Sequence, residues 1–391
     1  MWFPKMFRIY LMGLCVGGFF CLPAALWGQE AAPKVHLNKQ GFSSSEQCGQ
    51  CHKQLFEDWR HSLHADSSGN AVFHAAYLQV YFEQGERARA ACLSCHAPVA
   101  HFNNDPKLTQ PISQEGVSCD FCHSIAEVLP GTPAGPQFRF EFGGVKQGPL
   151  SGVDSPAHKT RVNELYRQSR FCKGCHEQKS PSGIPMIATY TEWEQSPYPD
   201  KGITCQKCHM EQVAGKTVAP SVKQTLGNRI SNHNIASGHS LTKRRQALEL
   251  KIAALETFKN RITVQVDLTN VGAGHKMPTG LPVKKIILEV KVQDESGGRH
   301  QVQQQVYQKK VADANGKAVT NVVDLMLGKG MQVVSDNRIA PLETRRETFT
   351  FFVDQPVGQT VSATVYYSYT PEILQPAPIH IKLNEVQRHV R

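Results

Sequence analysis

Beyond its first 33 residues, the 391-residue chain has no cysteine outside one repeated pattern, and none at all after Cys208. In an exported chain, ten cysteines ordinarily make five disulfides, at no fixed spacing. Here all ten fall in C-x-x-C-H pentads, which excludes that use. Also lacking is any basic run interleaved with aromatic residues, although the formal net charge is +10. No nucleic-acid partner is therefore expected. Apolar residues are sparse between 35 and 240, where Gly, Pro, Ser and His are frequent, so that stretch is too poor to bury much core by itself.

One long apolar run exists, from Ile9 to Leu26, with Lys5 and Arg8 ahead of it and small and polar residues behind. That pattern predicts a signal peptide over residues 1–28 and an exported protein, periplasmic or extracellular, with an uncleaved membrane anchor as the alternative. Neither Cys15 nor Cys21 follows the small residue that a lipoprotein box wants.

The pentads are CGQCH (Cys48, Cys51, His52), CLSCH (Cys92, Cys95, His96), CDFCH (Cys119, Cys122, His123), CKGCH (Cys172, Cys175, His176) and CQKCH (Cys205, Cys208, His209). C-x-x-C-H is the signature of c-type haem attachment. The two thiols form thioethers with the haem vinyl groups, and the adjacent histidine is placed beneath the iron. Zinc would want paired knuckles and would leave a fifth pentad orphaned. Five covalently attached haem c groups are expected. Their roughly ten propionates account for much of the surplus of basic residues.

From about Ala247 the texture changes. RITVQVDLTN, VKKIILEVKVQD, TRRETFTFFVD and TVSATVYYSYT alternate apolar and polar residues with period two. Ile262, Val264, Val266 and Leu268 share one face; Ile286, Leu288, Val290 and Val292 share another. About seven short strands in ~140 residues argue for an immunoglobulin-like antiparallel β-sandwich. The expected fold is thus α+β: a haem-wrapped, mostly helix-and-loop multihaem cytochrome domain over 35–240, then a β-sandwich domain over 247–391. One internal echo stands out, Trp59-x-x-Ser62-x-His64 against Trp193-x-x-Ser196-x-Tyr198.

A c-type haem iron takes a second axial ligand or stays open to small molecules. His64, after a tryptophan and a serine on an expected helix, is a candidate. So is His158 in DSPAHKT. His233 and His239 in ISNHNIASGHS offer at least one more. His61, His74, His101 and His36 are reserves, while His300, His380 and His389 read as surface residues, the last two in a polar tail. Met210 adjoins His209 and cannot reach the opposite face of the same haem. His275, in NVGAGHKMPTG, has two readings. It caps a tight turn between strands, or it crosses from the β-domain to ligate a haem of the N-terminal half. The glycines beside it permit positive φ and close backbone approach.

EDWRHSLHAD, GVSCDFCHSI, DSPAHKT, EWEQSPY…GITCQKCHM and VGAGHKMPTG together resemble multihaem cytochromes of the cytochrome c-554 type, in a longer form with a C-terminal β-domain. The resemblance implies closely stacked, mostly bis-histidine haems, with one five-coordinate haem in some relatives. It also implies that His64, His158, and His233 or His239 match distal-ligand positions. The tetrahaem member has one haem fewer, so ligands do not transfer haem by haem. Pentahaem nitrite reductases match less well, because their catalytic haem uses C-x-x-C-K and all five sites here end in histidine.

The leading functional expectation is a non-enzymatic relay of single electrons between a redox donor and acceptor protein. The alternative is an oxidoreductase acting on a small nitrogen or sulfur compound at one open haem, with Tyr198 as the best hint of a vacated site. The β-domain would then serve docking on a membrane-associated complex, or self-assembly.

Overall fold

Alternation of period two decides the C-terminal half. The computed structural model describes residues 33–391 except 133–134, 181, 224–225, 237 and 295–299, so the expected signal segment lies outside the described residues. Nine strands follow one another: β1 (Leu248–Phe258), β2 (Arg261–Asn270), β3 (Lys285–Gln293), β4 (His300–Tyr307), β5 (Lys309–Ala312), β6 (Gln332–Asp336), β7 (Thr344–Phe352), β8 (Thr360–Tyr369) and β9 (Ile379–His389). Seven of them form two antiparallel sheets, in the orders β7-β2-β1 and β4-β3-β8-β9. Strands β5 and β6 make a separate ribbon.

The faces read from the alternation are the ones buried. Ile262, Val264, Val266 and Leu268 of one sheet, and Ile286, Leu288, Val290 and Val292 of the other, meet in one core with Phe351, Val361 and Val365. Each such side chain contributes about 1.5–3 kcal/mol by leaving water. The polar tail expected around His380 and His389 is instead strand β9, paired along β8 from Tyr369↔Ile379 to Thr360↔His389. Its polar residues occupy the outer face of an edge strand.

The first half is built of short pieces. Its longest helix, Ala71–Gln84, has 14 residues. The attachment pentads lie on helical turns: Cys119–His123 and Cys205–His209 are helices of their own, and Cys172 to His176 lie within Arg170–His176. A helical turn puts positions i, i+3 and i+4 on one face, which is where two thiols and an imidazole must point together. Four two-stranded ribbons, not expected from the sequence, connect these turns. This half also holds small cores of its own. Phe42 packs against Phe102, Phe140 and Phe142 at ring-centre distances of 5.2, 5.3 and 5.0 Å. Sparse apolar content is offset by concentrating it locally, as in Phe138, Phe140 and Phe142. Among the described residues no helix is long and apolar enough to cross a membrane.

Candidate haem centres

The ten cysteines of the pentads are free, and none is more than half-exposed. They line a cavity of about 1680 Å³ running through the N-terminal half and reaching the β-domain at Gly274, His275 and Tyr367. That exceeds the about 300–1,000 Å³ of a pocket for one small ligand.

Four of the five attachment histidines face a second imidazole across this cavity. The ring centres are 6.2 Å apart for His52 and His158, 6.3 Å for His64 and His176, 6.4 Å for His123 and His233, and 6.4 Å for His209 and His275. Imidazole nitrogen binds a metal at about 2.0–2.1 Å and lies about 1.1 Å from its ring centre, so two rings facing one ion stand about 6.2–6.4 Å apart. The spacing fits one iron between each pair. The fifth attachment histidine, His96, stacks on Phe73 at 4.1 Å. Among the described residues no imidazole faces His96 at the spacing of the other four.

The tautomers agree with that use. Nδ1 of His52, His123 and His209 meets the carbonyls of Thr217 (2.7 Å), Gln147 (2.7 Å) and Ala236 (3.0 Å). Nδ1 of His158, His233 and His275 meets those of Lys159 (3.2 Å), Ser231 (2.7 Å) and Lys276 (3.1 Å). A carbonyl only accepts, so Nδ1 carries the proton and Nε2 keeps the lone pair that a metal needs. Burial pushes His64, His123, His176 and His275 down to about 4, and lowers His96, His158 and His233. Neutral imidazole, the ligating form, is therefore favoured near neutral pH.

His64 sits four residues past the end of the helix Lys53–Arg60, not on it. Among the described residues, His239 faces none of the attachment histidines at the spacing of the four pairs. His61 is paired with Glu57, and His101 meets Arg89. Close approach requires a glycine at Gly272, where a Cβ would lie 2.4 Å from the Gln246 carbonyl, whereas one on Gly274 would make only ordinary contact, 3.4 Å from Trp193. Positive φ is confined to Gly280, at the far end of the loop.

The echo around the two tryptophans extends well beyond its sequence signal. Trp59 Nε1 donates to the Val117 carbonyl and Trp193 Nε1 to that of Ile203, both at 2.9 Å; each acceptor lies two residues before an attachment cysteine. The Val117 amide donates to the His64 carbonyl and the Ile203 amide to that of Tyr198. Gly116 and Gly202 share φ near +63°, at 64° and 62°. Ser45 Oγ accepts from the Cys119 amide at 3.1 Å, and Ser169 Oγ from Cys205 at 3.0 Å. Cys48 lies against Cys119 and Cys172 against Cys205, while Cys95 lies against Cys175. Two attachment sites, a tryptophan and two serines thus recur as a unit. The echo read from the sequence covered only Trp59-x-x-Ser62-x-His64 and Trp193-x-x-Ser196-x-Tyr198.

Residues 47–124 match the family described as cytochrome c554 and c-prime. The chain shares its fold with a pentahaem cytochrome c552 from Thermochromatium tepidum, at 22% identity and a TM-score of 0.69, over 89% of this chain and 99% of that one. The ApaA protein from Bordetella pertussis aligns at 14% identity over 37% of this chain and 93% of that one, with a TM-score of 0.21 that supports no argument. No curated protein matches. With its C-x-x-C-H turns lining a shared cavity, the chain matches the cytochrome c554 and c-prime family over residues 47–124 and has the fold of a pentahaem cytochrome c552 over 89% of its length.

Proposed function

We propose that the protein binds five haem c groups and relays single electrons through them after export from the cytoplasm. The observation that carries this reading is the set of four imidazole pairs with ring centres 6.2–6.4 Å apart. Two imidazoles give a low-potential iron with no free position, suited to carrying electrons and not to binding substrate. When bound, the haems supply the redox chemistry; the chain attaches them, fixes the imidazoles and excludes water. Contacts between Cys48 and Cys119, Cys172 and Cys205, and Cys95 and Cys175 support closely spaced haems. Redox donor and acceptor proteins would meet the haem edges at the surface.

The alternative, an oxidoreductase acting on a small nitrogen or sulfur compound, is favoured by one observation. His96 has Phe73 on its ring and no facing imidazole among the described residues. An iron held there would keep a free position. Pyridine haemochrome absorbance per chain together with electron paramagnetic resonance of the oxidised protein tests both readings. Five haems, four of them low-spin, are expected for the relay. Fewer than five haems, or several high-spin signals, would overturn the bis-histidine assignment. A high-spin signal from one haem that shifts with cyanide, together with turnover of nitrite or hydroxylamine, would favour the enzyme.

A further inference from the structure

Each of the two recurring tryptophans follows an acid, Asp58 or Glu192, and the acids do parallel work. In the first copy, Trp59 holds the Val117 carbonyl just ahead of Cys119 and His123. Its neighbour Asp58 lies close to the backbone amide of His233, the residue whose ring faces His123. In the second copy, Trp193 holds the Ile203 carbonyl just ahead of Cys205 and His209. Its neighbour Glu192 accepts from the Lys276 amide at 3.3 Å and from Thr279 Oγ1 at 2.7 Å. Both groups lie just after His275 in the loop that brings its ring opposite His209.

We propose that the acid–tryptophan pair is a positioning device that fixes both axial sides of one haem: the indole sets the attachment side, and the carboxylate sets the loop bearing the opposing imidazole. This rests on the reading of His233 and His275 as sixth ligands. The two loops come from different halves of the chain and have unrelated sequences, yet each is gripped at the residue carrying the imidazole or at the next one. Shared ancestry of the loops therefore does not explain the parallel. The second grip is reinforced. Glu192 pairs with Arg338 at 2.7 Å, both side chains being about 5% exposed or less, and Arg338 Nη1 donates to the Pro278 carbonyl at 3.1 Å. A buried carboxylate stays charged only with such a partner. Asp58 has no such cation among the ion pairs of the described residues, and its Oδ2 is buried without a hydrogen bond, so its grip on His233 is the weaker one.

The test uses the haem-loaded protein, read by electron paramagnetic resonance and cyanide titration. Histidine variants H233A and H275A first identify which low-spin signal each ligand governs. D58A is then expected to raise cyanide affinity about 10–100-fold at the haem governed by His233, and E192A at the one governed by His275. E192Q, which keeps an acceptor oxygen, is expected to restore most of the wild-type behaviour. The proposal is overturned if D58A and E192A leave cyanide binding unchanged, or if both loosen the same haem. If H233A and H275A open no haem, the ligand reading itself fails, a result distinct from failure of the device. Should E192A not load haem, T279V removes one bond to the same carboxylate. A shift confined to the His275 signal supports the device, and an unaltered signal overturns it.

Discussion

Carbonyl oxygens orient six of the eight imidazoles that face one another across the cavity, and they come from near and far alike. His233 and His275 are set by carbonyls within two residues of themselves, His52 by Thr217 across the domain. His64 is held differently: its own carbonyl accepts from the Val117 amide and from Ser67 Oγ, tying the segment to the third attachment turn. That anchors the ring opposite His176, beside the place where the Cys95 and Cys175 side chains meet. H64A is expected to convert one low-spin haem to high-spin without loss of haem, seen by electron paramagnetic resonance, whereas H239A is expected to leave the spectrum unchanged. The sequence offered His64 after a tryptophan and a serine, His158 after a proline turn, His233 together with His239, and His275 in a constrained loop. It did not offer Asp58 or Glu192. An acid beside a tryptophan on a short helix reads as a solvated face, and only the fold shows which amide each one meets.

Where the ribbon of β5 and β6 packs on the N-terminal half, charge is buried deliberately. Lys309, 3% exposed, donates to the Pro185 carbonyl at 2.8 Å and shares its surroundings with Arg338, Glu192 and Asp336. Burial pushes it down to about 8. Its ordinary value is about 10.4, so between pH 8 and 10 the unfolded chain holds more proton than the folded one, and folding gains stability as pH rises. Below pH 8 the charge is present in both states and the burial penalty is felt in full. Wild type is therefore expected to gain stability relative to K309M between pH 8 and 10 in denaturant titrations, and to show no such gain between pH 6 and 7.5. The strands themselves were legible. RITVQVDLTN spans β2, and the other three alternating segments cover β3, β7 and β8 to within a few residues. The outer strand β9 was not, because an edge strand with one solvated face looks like a polar tail.

At the scale of the whole molecule, the two halves differ in what holds them. The sandwich has a continuous side-chain core. The N-terminal half has small aromatic clusters around a cavity of about 1680 Å³ lined by its attachment turns. A lining of that size loses its contacts when nothing fills it. Chain produced without haem attachment is thus expected to keep β-type circular dichroism and a protected fragment near residues 247–391 under limited proteolysis, while residues 35–240 are cleaved. Survival of the N-terminal half at the same protease dose would show that its side-chain clusters suffice.

The sandwich also closes its own sides. On one flank, Gln301 and Gln303 of β4 donate to the Phe352 and Thr350 carbonyls of β7, both at 2.6 Å. On the other, Asn384 of β9 donates to the Leu248 carbonyl of β1 at 2.6 Å. Side-chain amides thereby tie the two sheets together along both flanks, occupying three edge carbonyls that a passing strand would otherwise meet open. A strand pairing along β7 or β1 at those positions would first have to displace the amides that hold the seams.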